Sequence, residues 1–261
     1  MNARSAFADQ VYLLARRSVV RTARQPANVI APLVFPMLLL AVNSGGLKAE
    51  TRLPGFPTTS FVAFALAVPF IQGALFATMN AGTDLARDIQ TGFLSRLSLT
   101  PMRGIALLAG QLGGVIVLSL VQAAVYIGVG YVVGVRLASG PAGVLVLFVF
   151  AALIGLGFGA LGAFAALRTG SGEAVQSLFP AFFVFLFLSS MNIPRNLIAT
   201  TWFRDVATVN PVSYLLEAVR SLIITGWDAQ ALALGFGIAG VITAVALALA
   251  SWALRVRMAR T

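Results

Sequence analysis

Of 261 residues, 59% are hydrophobic and only 10% are charged, with a mean hydropathy of +0.93. So few charges cannot cover a soluble globule of this size, so the composition excludes one and predicts an integral membrane protein. The chain has no Cys and no His, which removes disulfides, thiolate chemistry, imidazole catalysis and the common zinc sites, and the net charge of +10 has to be located before it is read as a partner signal.

Residues 5–24 predict an amphipathic helix. Phe7, Val11, Leu14 and Ser18 recur at helical spacing, with Arg16, Arg17, Arg21 and Arg24 on the opposite arc. Such a helix lies flat at the inner headgroups, either as a basic anchor or as a docking surface for a partner. The first long apolar run begins only near Ala27 and no small-residue site closes it, so the opening residues do not read as a cleaved signal peptide.

Six apolar runs follow, at 27–43, 60–82, 105–134, 141–167, 174–192 and 230–254. Pro32 and Pro36 predict a kinked first span whose neighbours satisfy its freed backbone groups. Near-continuous apolarity argues for helices, not barrel strands. With a cytoplasmic N-terminus, Arg4, Arg16, Arg17, Arg21, Arg24, Arg87, Arg96, Arg103, Arg168, Arg255, Arg257 and Arg260 fall inside, against Lys48, Arg52, Arg136, Arg195, Arg204 and Arg220 outside. The basic excess is thus a topology signal that puts both termini in the cytoplasm, and nucleic acid is not an expected partner.

Two segments are too organised to be linkers. Between the second and third runs, Asp84 and Asp88 stand four apart around Arg87. Gly92 then predicts a hinge, and Phe93, Leu94, Leu97 and Leu99 form a short apolar stripe that Pro101 ends, with Arg96 among them. A helix, a hinge and a second short helix, all facing water, are expected here, either as a solvated loop or as an element that transmits motion. Between the fifth and sixth runs, Asn210 caps and Pro211 starts a helix through Tyr214, Glu217 and Arg220. At about 18 Å it is too short to cross, so it dips into the outer leaflet or lies on it. Glu217 and Arg220, three apart, are expected to neutralise each other.

Lys48, in GGLKAE, lacks the context of a phosphate-binding loop, so this chain is not expected to bind ATP itself. No pair of carboxylates falls inside a span, which argues against a stand-alone secondary transporter. Gly155, Gly157, Gly159 and Gly162 in the fourth run predict close helix packing.

The segments DLARDIQTGFLSRLSLTPMRGIALLAG at 84–110, LSSMNIP at 188–194 and NPVSYLLEAVR at 210–220, with six spans and the amphipathic N-terminal helix, resemble the ABC-2 type permeases, in particular those of the daunorubicin-resistance (DrrB-like) multidrug group. The resemblance implies an all-α permease forming one domain over 1–261, with six transmembrane helices. It makes 5–24 the connecting helix, 84–103 the cytoplasmic coupling segment, and 193–228 an outer segment with short re-entrant helices before the last span. It further implies a homodimer in the plasma membrane that binds two copies of an ABC ATPase subunit. ATP and Mg are held by that partner and no cofactor by this chain, which is not itself an enzyme. Coupling falls to Asp84, Arg87, Asp88, Gly92, Phe93, Arg96, Leu97 and Pro101, and the outer gate to Asn210, Pro211, Tyr214, Glu217 and Arg220.

The stretch RNLIATTWFRD departs from the family in lacking a second proline before its tryptophan region. Phe179, Phe182, Phe183 and Phe187 either line a substrate path or face lipid and core. An apolar lining predicts an amphipathic drug-like compound or a lipid as cargo, moved outward. Polysaccharide or glycolipid export, a stand-alone transporter and a membrane scaffold are the competing readings.

Overall fold

The computed structural model describes residues 3–98 and 104–259. The regular structure of those residues is helical: α1 (Ala3–Ala23), α2 (Pro26–Gly46), α3 (Phe61–Ala65), α4 (Ala67–Gln90), α5 (Phe93–Ser98), α6 (Gly104–Val132), α7 (Gly140–Thr169), α8 (Gly172–Gln176), α9 (Leu178–Phe187), α10 (Thr201–Val209), α11 (Pro211–Arg220) and α12 (Ala229–Met258). Five helical stretches are long and apolar enough to cross a bilayer, namely α2, α3 with α4, α6, α7 and α12. The protein is a multi-pass membrane protein.

The fifth apolar run is not one long helix. It divides into α8 and α9, which together extend over Gly172–Phe187, short of the roughly 20 residues of a crossing. The cause is local. Pro180 has no N–H for the Gln176 carbonyl, and the helix breaks at Ser177, three residues earlier. Pro69 does the same in the second run, where the break falls at Leu66 between α3 and α4.

The prolines of α2 are accommodated differently. Pro32 leaves the Asn28 carbonyl without its helical donor, and Asn80 Nδ2 of α4 donates to it at 3.1 Å. Pro36 likewise orphans the Pro32 carbonyl, which accepts from Tyr126 Oη of α6 at 2.7 Å. The expected satisfaction by neighbours is therefore met atom by atom.

α4 is the centre of the bundle. The most apolar part of the α3–α4 stretch is 89% buried against 17% for that of α2, so α3 and α4 carry the packing and α2 lies at the edge. α7 packs on α4, α6 and α12 through its glycines: a methyl group on Gly162 would collide with the Thr78 backbone of α4, one on Gly159 with Val115 of α6, and one on Gly157 with Thr243 of α12. Close backbone approach, the reading of this glycine series from the sequence, is what the structure contains.

α1 packs along α6. Gly110 and Gly114 of α6 leave room for Leu14 and Ser18, and the Ser18 hydroxyl donates to the Gln111 carbonyl at 3.4 Å. The apolar face of α1 is thus docked on protein, while Tyr12, Leu13 and Val20 stay exposed.

Candidate functional site

α3 and α4 form one stretch of 30 residues, which at 1.5 Å per residue reaches about 45 Å and outlasts a hydrocarbon core of about 30 Å. Its last turns carry Asp84 and Asp88. Both were expected to face water, and both are buried. The correction has a specific cause: α1 lies against this end of α4 and covers them. Arg17 grips Asp88 with two parallel hydrogen bonds, Nη1 to Oδ2 at 3.0 Å and Nη2 to Oδ1 at 2.9 Å. Arg21 reaches Asp88 at 2.9 Å and Asp84 at 2.9 Å, and also donates to the Asp84 carbonyl at 3.1 Å. A forked guanidinium suits this geometry as a lysine would not. The hydrogen bond to Asp88 raises Arg17 above the ordinary guanidinium range.

The clamp extends past the hinge. The Arg17 guanidinium lies 4.0 Å from the Phe93 ring centroid, so one side chain of α1 holds both the end of α4 and the start of α5. Gly92 between them has φ +69, a conformation glycine adopts freely, and a Cβ there would meet nothing within 4 Å. Leu94 is buried, among Leu85, Leu107 and Leu108. Arg87 and Arg96 are exposed; Arg96 donates to the Thr91 carbonyl at 3.3 Å, and Arg87 has no ion-pair partner among the described residues. The side chain of Leu97 and the whole of Pro101 lie outside the described residues.

At the other end of the bundle, the two motifs singled out in the sequence meet. Asn210 caps α11, its Oδ1 accepting from Val212 N at 3.0 Å. Its Nδ2 donates to the carbonyls of Phe185 and Leu188 at 2.6 and 3.0 Å, closing the end of α9. Pro211 opens α11, and Ser213 Oγ accepts from Ser190 N at 3.1 Å. Arg220 then donates to the carbonyls of Phe64, Ser190 and Met191 at 3.0, 2.6 and 2.6 Å and stacks over the Phe64 ring. The expected Glu217–Arg220 pair is absent. Glu217 is instead bound bidentately by Arg195 at 2.6 and 2.7 Å, because the 188–197 segment folds back over α11. Arg195 also lies 4.3 Å over the Tyr214 ring. Beyond Arg220 the helix widens into a π turn, Ser221–Thr225, whose Leu222 and Ile223 carbonyls accept from the backbone of Ser139 and Ala138.

The phenylalanines form a ladder. Phe179 packs on Phe76 and Phe183, Phe183 on Phe35 and Phe187, and Phe182 on Phe158. Phe182 also lines an apolar cavity of about 170 Å³ with Ile71, Leu75, Phe158 and Ile242, whereas Phe187 is exposed. The sequence reading expected apolar side chains to dominate the lining, and the interior also holds buried polar groups. α6 buries Gln111, Ser119, Gln122 and Tyr126 along one face, with Gln72 and Thr78 buried on α4, and Gln72 Oε1, Ser119 Oγ and Gln122 Nε2 have no hydrogen-bond partner. Isolated polar residues in long apolar runs hid this from composition; their helical spacing on α6 is the signal that could have found it.

The described residues thus form a helical membrane bundle with a charged clamp at one end and a zipped, capped segment at the other. Residues 9–224 match the ABC-2 type transporter family model, and the chain belongs to that family. It is similar to the daunorubicin resistance ABC transporter permease protein DrrB1 of Streptomyces coeruleorubidus, 30% identical over 200 residues that cover 74% of this chain and 66% of the relative. It also resembles the probable doxorubicin resistance ABC transporter permease protein DrrC of Mycobacterium tuberculosis, 27% identical over 229 residues covering 86% and 80%. The putative transport permease ycf38 of Cyanophora paradoxa is 24% identical over 220 residues covering 83% and 74%. The chain is therefore the membrane permease subunit of an ABC transporter, and the family implies an ABC ATPase as its partner.

Proposed function

We propose that this permease exports amphipathic, drug-like compounds or lipids, driven by ATP hydrolysed on a separate subunit that docks at residues 84–101. The observation that carries the coupling is the clamp of Arg17 and Arg21 on Asp84 and Asp88. Closure of an ATPase moves spans only through an element rigidly joined to them, and this clamp joins the α4 tip, the start of α5 and α1 into one body. The exposed Arg87, Thr91 and Arg96 at its tip are the groups left for the ATPase to contact. From α1 the motion passes directly into α2, the least buried span.

In this reading the whole chain is one permease domain in the plasma membrane with both termini cytoplasmic. α8 and α9, continued by the 188–194 turn, make the sixth crossing, and α10 and α11 are the re-entrant outer helices. Two copies pair along the exposed faces of α2 and α9 and bind two ATPase subunits. ATP and Mg sit on the partner, with no cofactor on this chain.

Drug-resistance permeases among the relatives and the Phe179–Phe187 ladder support an apolar cargo. Apolar contact rewards area, roughly 25 cal/mol per Å² removed from water, and discriminates poorly between shapes. Reconstituted with its ATPase, the permease is expected to show ATPase stimulation by several unrelated lipophilic compounds. Substitution at Phe182 or Phe183 should reorder them. A response to a single glycan-linked substrate, with both phenylalanines indifferent, would overturn the reading in favour of polysaccharide export. The buried Gln72 Oε1, Ser119 Oγ and Gln122 Nε2, which lack hydrogen-bond partners, favour that second reading.

A further inference from the structure

Arg220 is buried, and its three short contacts are all to neutral carbonyls. A guanidinium held this way is stable only while those carbonyls stay in place, because a buried charge left without partners is strongly unfavourable. Two of the three carbonyls, Ser190 and Met191, belong to the same short segment as Arg195, the residue that holds Glu217. Any outward movement of residues 188–197 therefore strips Arg220 of two acceptors and releases Glu217 in the same step. Glu217 and Arg220 are one turn apart on α11 and line one cavity of about 340 Å³, together with Arg195, Pro194 and Phe64. The other carboxylate on that cavity, Asp228, is committed to capping α12 through Gln230 N and Ala231 N.

We infer that Arg195, Glu217 and Arg220 form an ion-pair exchange switch at the outer mouth. With the mouth closed, Arg195 holds Glu217 and Arg220 clasps the 188–191 turn. With the mouth open, the turn and Arg195 swing away together and the partly exposed Glu217 pairs with Arg220, so the buried Arg220 charge is not stranded. Glu217 and Arg195 are positioning residues in this scheme and contact no cargo. The inference rests on the outward-facing placement of this segment in the exporter reading.

The two halves of the Arg195–Glu217 pair then have opposite effects, which no merely structural ion pair has. Arg195→Gln frees Glu217 for Arg220 and favours the open mouth; Glu217→Gln removes a partly exposed pair with Arg195 from the closed mouth but the only charged partner of the buried Arg220 from the open one, the larger loss, and so favours the closed mouth. The test uses the full-length chain in intact cells. It has no native cysteine, so Ser190→Cys, a near-isosteric change at a buried position, reports opening through its labelling by a membrane-impermeant maleimide. Against that background Arg195→Gln is expected to raise the labelling rate and Glu217→Gln to lower it, each by roughly fivefold for a partly exposed pair. Glu217→Asp, which keeps the charge, should stay near the parent rate.

Shifts in the same direction for both Gln variants, or no shift in either, would overturn the switch. Thr59→Cys, exposed on the 48–60 loop, separates this failure from the other. If Thr59→Cys is not labelled from outside, the orientation is wrong and the switch falls with it; if it is labelled while the Gln variants move together, only the switch falls.

Discussion

Tyr126 shows how a single hydroxyl carries structural weight in a low-dielectric interior. Its proton meets the one carbonyl that Pro36 leaves without a helical donor. Tyr126→Phe should therefore cost about 1–3 kcal/mol, the penalty of a stranded buried acceptor, and lower the unfolding midpoint in detergent. Tyr131→Phe, at an exposed position five residues on, should leave it unchanged. Equal midpoints for the two variants would mean the carbonyl finds another donor. The need for such donors was legible from Pro32 and Pro36, but not their identity, since Asn80 and Tyr126 lie on other helices. The salt-bridge partners show the same limit. Glu217 had an arginine one turn away on its own helix, and local spacing favoured that pair; the fold instead brings Arg195 over it. For the clamp a usable signal did exist. Arg17 and Arg21 stand four apart, as do Asp84 and Asp88, so two helices lying side by side present matched charges of opposite sign.

Gly92 and Gly162 separate two uses of glycine within helical elements. At Gly92 there is space but a left-handed backbone, so Gly92→Ala strains the hinge by about 1–2 kcal/mol without a clash, and Gly92→Asn by less. Coupling efficiency, read as cargo-stimulated ATPase activity, should fall in the order Gly, Asn, Ala while membrane insertion stays constant. Gly162→Ala places a methyl group on the Thr78 backbone between α7 and α4, where neither main chain can yield. This variant should be lost as folded protein, seen as the disappearance of the monodisperse peak in detergent. A Gly162→Ala protein of normal yield would mean the two helices separate more easily than their contact implies. Both glycines were singled out in the sequence, Gly92 as a hinge and Gly162 as a packing residue. What apolarity could not reveal was the break at Ser177, because a run of hydrophobic residues looks continuous whether or not the helix through it is.

Across the whole molecule, the long helices lie close to five of the six apolar runs, and α4 outlasts its run by eight residues because no breaker occurs before Gly92. That overhang carries Asp84 and Asp88, the residues proposed for coupling, to where Arg17 and Arg21 of α1 reach them. The account holds that α1 and the tip of α4 act as one body in receiving the force of ATP hydrolysis. The most direct test is a double-mutant cycle on cargo-stimulated ATPase activity in the reconstituted transporter, with Arg17→Gln, Asp88→Asn and the two combined, at matched amounts of inserted permease. If the clamp carries the coupling, either single change removes most of the stimulation and the double variant loses no more than the worse single. Losses that multiply, or stimulation untouched by either change, would contradict it.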